Sequence, residues 1–314
     1  MTSLILARRD LEFLLYEWLQ VEKLTTRPRF ADHNRETFDA ALDTCEQIAT
    51  NLYAPHNKKN DQHEPQFDGD SVQMIPEVKI AADAFAQAGL IAAGQDYELG
   101  GMQLPSVIEK AGFAYFNGAN IGSAAYSMLT IGNANTLLKC ATQEQINTFV
   151  KPMLTGRFLG TMCLSEPQAG SSLSDIVTRA EPQADGTYRL RGNKMWISAG
   201  EHELSENIVH LVLAKVPDEN GKLIPGVRGI SLFIVPKKLV NQDGSCGERN
   251  DVVLAGLNHK MGFRGTTNCL LYFGEGKFTP KGSDGVSKAG AVGYLVGQKH
   301  KGLANMFHMM NDAR

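Results

Sequence analysis

Met162-Cys-Leu-Ser-Glu-Pro-Gln-Ala-Gly-Ser-Ser172 reads as a short apolar strand that stops at a proline and opens into a loop of small side chains. Pro167 has no N–H to give to a ladder, so the strand ends before it. Ala169-Gly-Ser-Ser172 has so little bulk that its backbone N–H groups can come close to a ligand. A second stretch, Lys194-Met-Trp-Ile-Ser-Ala-Gly200, echoes the first. Ser165 and Ser198 each place a hydroxyl, able to donate and to accept, at the end of an apolar strand. Trp196 offers a large flat face between them. Donors, hydroxyls and an aromatic plane suit a flat ring edged with heteroatoms and carrying a phosphate tail.

The rest of the chain bounds this reading. At 314 residues, two domains are expected rather than one. A 43% apolar share with 21% charged residues is that of an ordinary globular protein. The net charge of −3 argues against nucleic acid as the main partner. Cys45, Cys140, Cys163, Cys246 and Cys269 are scattered and include no CxxC, so neither a disulfide framework nor a zinc site is indicated. That usage fits a reducing, cytoplasmic compartment. No apolar run is long enough to span a membrane. The charges of Met1-Thr-Ser-Leu-Ile-Leu-Ala-Arg-Arg-Asp10 follow the apolar residues, the reverse of a secretory signal.

Period and punctuation divide the chain. Asp10 to Leu24 reads as an amphipathic helix with Leu11, Leu14, Leu15, Trp18, Leu19 and Val21 on its buried side. Phe38, Ala41, Leu42, Cys45, Ile48, Ala49 and Leu52 mark a cleaner helix that Pro55 ends. Residues 56–72 read as a polar loop. Pro76 opens a helix with Val78, Ala81, Ala82 and Phe85 inside, capped near Gly89. Helices follow over 106–116 and 121–139, and Thr142-Gln-Glu-Gln145 has the form of a capping box before a helix closed by Gly156. The period then becomes strand-like, with runs at 158–164, 187–191, 208–215, 229–235 and 268–273. A Gly-rich connection over 274–302 leads to a last helix that has no stop signal, as if the chain were a fragment. The expected fold is α+β and multidomain. It has an N-terminal extension (1–35), an all-helical domain (36–157), a β-sandwich or barrel domain (158–280), and a linker with the first helix of another helical domain (281–314).

Ser165-Glu-Pro-x-Ala-Gly-Ser171 followed by Gly192-x-Lys-x-Trp-Ile-Ser-x-Gly200 resembles the flavin-binding middle domain of acyl-CoA dehydrogenases. The resemblance extends over nearly the whole chain. Gly89-Leu90…Tyr97…Gly100-Gly101 and the Thr142-Gln-Glu-Gln145 helix look like the family's N-terminal domain. His259-Lys-Met-Gly-Phe-Arg264 looks like its "K-x-G-x-R" turn. Arg9-Asp10…Phe13-Leu-Leu15 looks like the extra N-terminal segment of longer members, which include 3-methylmercaptopropionyl-CoA dehydrogenases.

The resemblance implies FAD as cofactor and α,β-dehydrogenation of an acyl-CoA, with electrons passed to an electron-transfer flavoprotein. It implies a dimer or tetramer in which a neighbour completes the FAD tail. Residues carried over to the flavin are Met162, Cys163, Leu164, Ser165, Gly170, Ser171, Trp196, Ile197 and Ser198, with backbone and side chains of Leu164-Ser165-Glu166 at the pyrimidine edge. The family more often has Thr at both hydroxyl positions; Ser lacks the methyl that limits rotation. Ser171, Asn311 and Arg314 are carried over to the CoA substrate, and Asn311 departs from the family's Asp.

Glu166 tempts as a base but is expected to fix the turn. The family's alternative base position falls on Ala313, which takes no proton. No catalytic base is therefore expected within the chain; it would lie downstream of Arg314, and the 314-residue chain is expected to bind FAD poorly and to be inactive. Met128, Leu129, Met306, Met309 and Met310 are candidates for an acyl channel, the last three more simply as core. His300 is expected at the surface and His308 in the core, and no histidine pair has metal spacing. There is no GxSxG elbow, Walker loop or dinucleotide fingerprint. Two other readings are an acyl-CoA oxidase that uses O2, and a truncated chain that only binds a partner or caps an oligomer.

Overall fold

The computed structural model describes residues 5–282 and 285–314. Met1–Leu4, where the N-terminal extension begins, and Ser283–Asp284 of the Gly-rich connection lie outside the described residues.

The helices are α1 Arg8–Glu12, α2 Arg35–Ile48, α3 Asn57–Gln62, α4 Pro76–Gln87, α5 Ser106–Cys140, α6 Gln143–Gln145, α7 Lys151–Leu154 and α8 Gly302–Ala313. The strands are β1 Gln66–Phe67, β2 Val72–Gln73, β3 Phe158–Cys163, β4 Arg179–Pro182, β5 Tyr188–Ser198, β6 Asn207–Lys215, β7 Ile230–Pro236, β8 Lys238–Val240, β9 Cys246–Arg249, β10 Val252–Leu257, β11 Asn268–Phe273 and β12 Ala291–Val296.

Local signals hold where they are chemical. Pro76 stands at the first turn of α4. Thr142 and Gln145 close a reciprocal capping box, and Asn34 and Thr37 close another at α2. The two expected helices of 106–139 are two runs of α5 joined at Asn120, whose backbone leaves the helix (φ −164°, ψ 89°). The Asn120 side chain accepts from Ser123 N–H at 3.1 Å and so caps the second run.

Three expectations are corrected. The first helix gives way to a widened π-type turn over Phe13–Trp18, and Gln20 breaks it with φ +51°. The widened turn rotates the apolar stripe, so Leu14, Trp18 and Leu19 are exposed while Tyr16 is buried. Residues 56–72 are not a loop throughout. Asn57–Gln62 is helical, held by the buried His56 and Asn60, which both reach Ser123 (2.8 and 3.1 Å). The Gly-rich connection contains β12, which pairs antiparallel with β5 and β7. The strands of the sheet therefore run to Val296 rather than to 280.

Eight strands form one sheet in the order β10-β11-β5-β12-β7-β6-β3, with β4 pairing both β5 and β6. Arg179 of β4 lies opposite Arg191 and also opposite Lys215. The path β4-β5-β12-β7-β6 thus returns to β4 and closes a barrel. Alternation sorts its side chains. Cys163, Leu190, Val212, Phe233, Val235 and Leu271 fill the barrel interior. Val209, Leu211, Leu232 and Ile234 face outward into the core shared with the helices. Both faces of β6 and β7 are covered, and every residue of the two strands is buried.

Helix α5 fastens the helical layer to the barrel. Asn133 donates to Thr161 O at 3.2 Å and to Val209 O at 2.8 Å, while Thr130 Oγ1 accepts from Gly160 N–H at 3.0 Å. A Cβ at Gly160 would stand 2.7 Å from the Asn133 side chain, so only glycine permits this approach.

Candidate functional site

The two motifs meet at a buried ion pair. Lys194 Nζ lies 2.9 Å from Glu166 Oε1, with both side chains essentially inaccessible (0% and 1%). Lys194 also donates to Leu164 O at 2.9 Å. The Glu166 carboxylate accepts from Gln168 Nε2, Val177 N–H and Thr178 N–H at 2.8, 2.8 and 3.0 Å. Burial works against its charge, but Lys194 and these N–H donors hold Glu166 below the usual carboxylate range. A carboxylate so satisfied has no capacity to accept a substrate proton. Glu166 fixes the turn, as expected, but its side chain faces inward rather than toward a ligand edge. Ser165 O accepts Met195 N–H at 3.0 Å, so the first motif lies directly against the second.

Beyond Met195, β5 changes character. Its register with β11 shifts between Cys269 and Leu271, which leaves an irregularity at 195–196. Trp196 takes φ +63° and Ala199 φ +55°, conformations that non-glycine residues rarely adopt. The irregularity turns the Trp196 ring outward, 54% exposed. Ser198 between them is half-buried. Thr161 Oγ1 donates to Ser198 O at 2.6 Å, and Asn268 Nδ2 lies 3.5 Å from Ser198 Oγ. Gly170, Ser171 and Ser172 are exposed, and nothing lies within 4 Å of a Cβ built at Gly170. The second motif thus offers an outward indole and a half-buried Ser198, and the first an uncrowded turn after a half-buried Ser165.

The strands sort the remaining candidates by side. Cys163 and Ile197 point into the barrel interior. Cys163 Sγ sits 3.9 Å from the buried His210, and burial pushes the thiol well above its usual range. These two residues can meet a ligand only through their main chain. Met162 and Leu164 lie on the opposite side, packed against the helical core.

Helix α8 begins where Gly302 lies against the backbone of β7; a Cβ there would approach Ser231 C to 2.3 Å. Met306 and Met309 are fully buried in the core and Met310 packs at its edge. His300 is exposed as expected; His308 is exposed too, against expectation, because it lies on the helix side away from Met306 and Met309. Asn311 and Arg314 are exposed at the end of α8. Among the described hydrogen bonds, none joins their side chains to the two motifs. Asp312 faces α5 instead and accepts from Asn135 at 2.8 Å. Met128 lines a small cavity with Glu109, Phe113, Ile131 and Asp312, while Leu129 is core. Burial pushes the Glu109 carboxyl above its usual range, and Asp312 adds to the shift.

Thr161, Asn258 and Asn268 escaped the sequence argument. Each is an isolated polar residue at a strand or strand end; the edge of β3 and the β5–β11 register bring Thr161 and Asn268 to Ser198, and Asn258 reaches Asn268. Among the described residues no cluster of His, Cys, Asp and Glu could hold a metal ion. No helix among them is long and apolar enough to cross a membrane.

Residues 161–275 match the family model "Acyl-CoA dehydrogenase, middle domain". The chain is 36% identical to 3-methylmercaptopropionyl-CoA dehydrogenase of Ruegeria pomeroyi over 98% of its own length and 49% of that protein's. It is 34% identical to a butyryl-CoA dehydrogenase of Syntrophomonas wolfei, again over 98% of this chain and 49% of the relative. The chain thus spans about half the length of these relatives. The fold is similar, at a TM-score of 0.67 and 22% identity, to an acyl-CoA dehydrogenase from Bacillus anthracis solved with FAD, covering 90% of this chain and 40% of that one. With the motif pair seated on a closed barrel of this kind, the chain belongs to the acyl-CoA dehydrogenase family.

Proposed function

We propose that this chain binds FAD on the face formed by Ser165, Gly170–Ser171 and Trp196–Ser198, and serves the α,β-dehydrogenation of a short acyl-CoA thioester, 3-methylmercaptopropionyl-CoA among the candidates. The observation that carries the reading is the outward Trp196 ring on strained backbone, two positions from Ser198, in a motif whose Met195 N–H is bonded to Ser165 O of the other. Bound there, the flavin supplies the hydride acceptor. Ser165 and Ser198 are assigned to its edge, with the Trp196 indole over one ring face. The main chain of Met162–Leu164 and of Ile197 lines the same strand ends, and Gly170–Ser171 meets the phosphate and pantetheine side. Asn311 and Arg314 are assigned to the CoA substrate, Arg314 as a cation for its phosphates. A reducing cytoplasm, an electron-transfer flavoprotein as acceptor, and a homodimer or tetramer complete the proposal.

No residue is assigned as proton-abstracting base. Glu166 is saturated by donors, Asp312 is held by Asn135, and Ala313 carries no proton acceptor. The chain is expected to bind FAD weakly and to hold its ligands without turning them over. The test is titration of the purified 314-residue chain with FAD, followed by flavin fluorescence, and then with butyryl-CoA and 3-methylmercaptopropionyl-CoA. FAD uptake that Trp196→Ala weakens at least tenfold supports the site; equal uptake by both proteins sinks it. Bleaching of the flavin by either thioester would show that the chain holds a working base after all.

A further inference from the structure

Behind the Ser198 hydroxyl stands a pair of asparagine amides whose orientation can be deduced. Asn258 Nδ2 lies 3.7 Å from Met195 Sδ and 3.0 Å from Asn268 Oδ1. A thioether sulfur has no proton to give. The Asn258 amide must therefore turn its NH2 toward Met195, and the same NH2 meets the Asn268 oxygen. Asn268 is fixed in turn: its oxygen faces Asn258 and its NH2 faces Ser198 Oγ at 3.5 Å. The backbone braces this order. Asn258 N–H donates to Asn268 O at 2.7 Å, and Asn268 sits opposite Ser198 in the β5–β11 register. Asn268 is buried at 3% exposure.

Asn258 thus donates to Met195 and to Asn268, and Asn268 donates to Ser198. With an oxygen lone pair engaged by Asn268, the Ser198 hydroxyl keeps its proton for a partner outside the protein. An independent observation marks the same residue. Trp196 and Ala199, both in the left-handed region, flank it within four positions. Such strain persists only where the surroundings hold it, and it concentrates at ligand sites.

We propose that Asn258 and Asn268 are positioning residues that set the Ser198 hydroxyl as a hydrogen-bond donor toward an acceptor atom on the flavin edge. A serine lacks the methyl that restrains a threonine hydroxyl; here two amides supply the restraint. The inference rests on the FAD reading given above.

The test is a double-mutant cycle on the full chain, read by FAD affinity and the absorbance band shape of bound flavin. Asn268→Leu is expected to weaken FAD about fivefold, the worth of one hydrogen bond, and to change the band in the same sense as Ser198→Ala. In the Ser198→Ala background, Asn268→Leu is expected to change neither. Asn268→Thr, whose hydroxyl can accept from Asn258 and donate to Ser198, is expected to restore most of the affinity. If Asn268→Leu does not fold, Asn258→Leu carries the same cycle. Additive effects of the two substitutions, or an Asn268→Leu protein indistinguishable from the parent while Ser198→Ala is altered, would overturn the relay and leave the FAD reading standing. A chain that takes up no FAD, or takes it up unchanged after Ser198→Ala, would remove the reading at Ser198 and the inference with it.

Discussion

Lys194 and Trp196 are two positions apart on one strand and belong to one motif, yet they lead opposite lives. Lys194 is fully buried, paired with Glu166 and hydrogen-bonded to Leu164 O. Trp196 is more than half exposed, on backbone that a side chain rarely adopts. Lys194 is architecture, while Trp196 is the one exposed residue of a stretch whose Ile197 and Ala199 are buried again. The contrast teaches that a motif legible as one unit in sequence can divide its labour. A buried charge pair locks two loops together, and two positions on Trp196 is held strained and outward.

The sharpest way to break the comparison is to unlock the scaffold side. Lys194→Met leaves Glu166 buried without its counter-charge, and about 3–5 kcal/mol of stability is expected to go, measured by urea unfolding. A loss under 1 kcal/mol would mean that the turn stands without the pair.

Acid tests the interior behind the motifs. His202 and His210 are fully buried, and burial pushes each down to about 3 from an ordinary value of 6.5. Below 6.5 the unfolded chain takes up protons that the folded chain cannot. Stability is therefore expected to fall as pH drops from about 6 to about 4, by roughly 1.4 kcal/mol per pH unit for each histidine. Glu166, held low, contributes stability present above the unfolded carboxylate value of 4.5 and lost below it, so it steepens the fall only at the acid end. His210→Gln should flatten the upper part of the slope by about half. An unchanged slope would place the effect elsewhere.

Gly160→Ala probes the bond between helix and barrel. The added methyl meets Asn133, and a loss of about 1–3 kcal/mol is expected, read from the unfolding midpoint. The smallest effect lies on the exposed side. Trp196→Gly relieves a left-handed residue and should leave stability unchanged or raise it by up to about 1 kcal/mol, while FAD uptake falls at least tenfold. A large destabilisation by this change would make Trp196 part of the scaffold and erase the distinction.

Much of this was legible from residues whose effect is local. Pro76, the Thr142–Gln145 box and the Ser165 and Trp196 motifs stand where they were read, because a cap, a ring or a missing N–H acts within one turn. The helix at Asn57–Gln62 was not legible. Its polar residues are held by Ser123 of α5, a partner more than sixty positions away. β12 hid among glycines because its strand character comes from β5 and β7 on either side. Leu14, Trp18 and Leu19 followed the helical period but are exposed, since one widened turn rotates them off the buried side while Leu15 and Val21 stay inside.

By itself, then, the sequence determined the family, the main helices, the five strand runs read above, and the residue types available for a flavin and its substrate. Hydrophobic period, caps and turn residues act between near neighbours and need no knowledge of the whole. Only the tertiary structure decided which residues of each motif are buried, that the barrel closes through Arg179, and that Asn258 and Asn268 stand behind Ser198. Those facts depend on strand register and on the closing of the sheet, which couple residues far apart in the chain and leave no local trace.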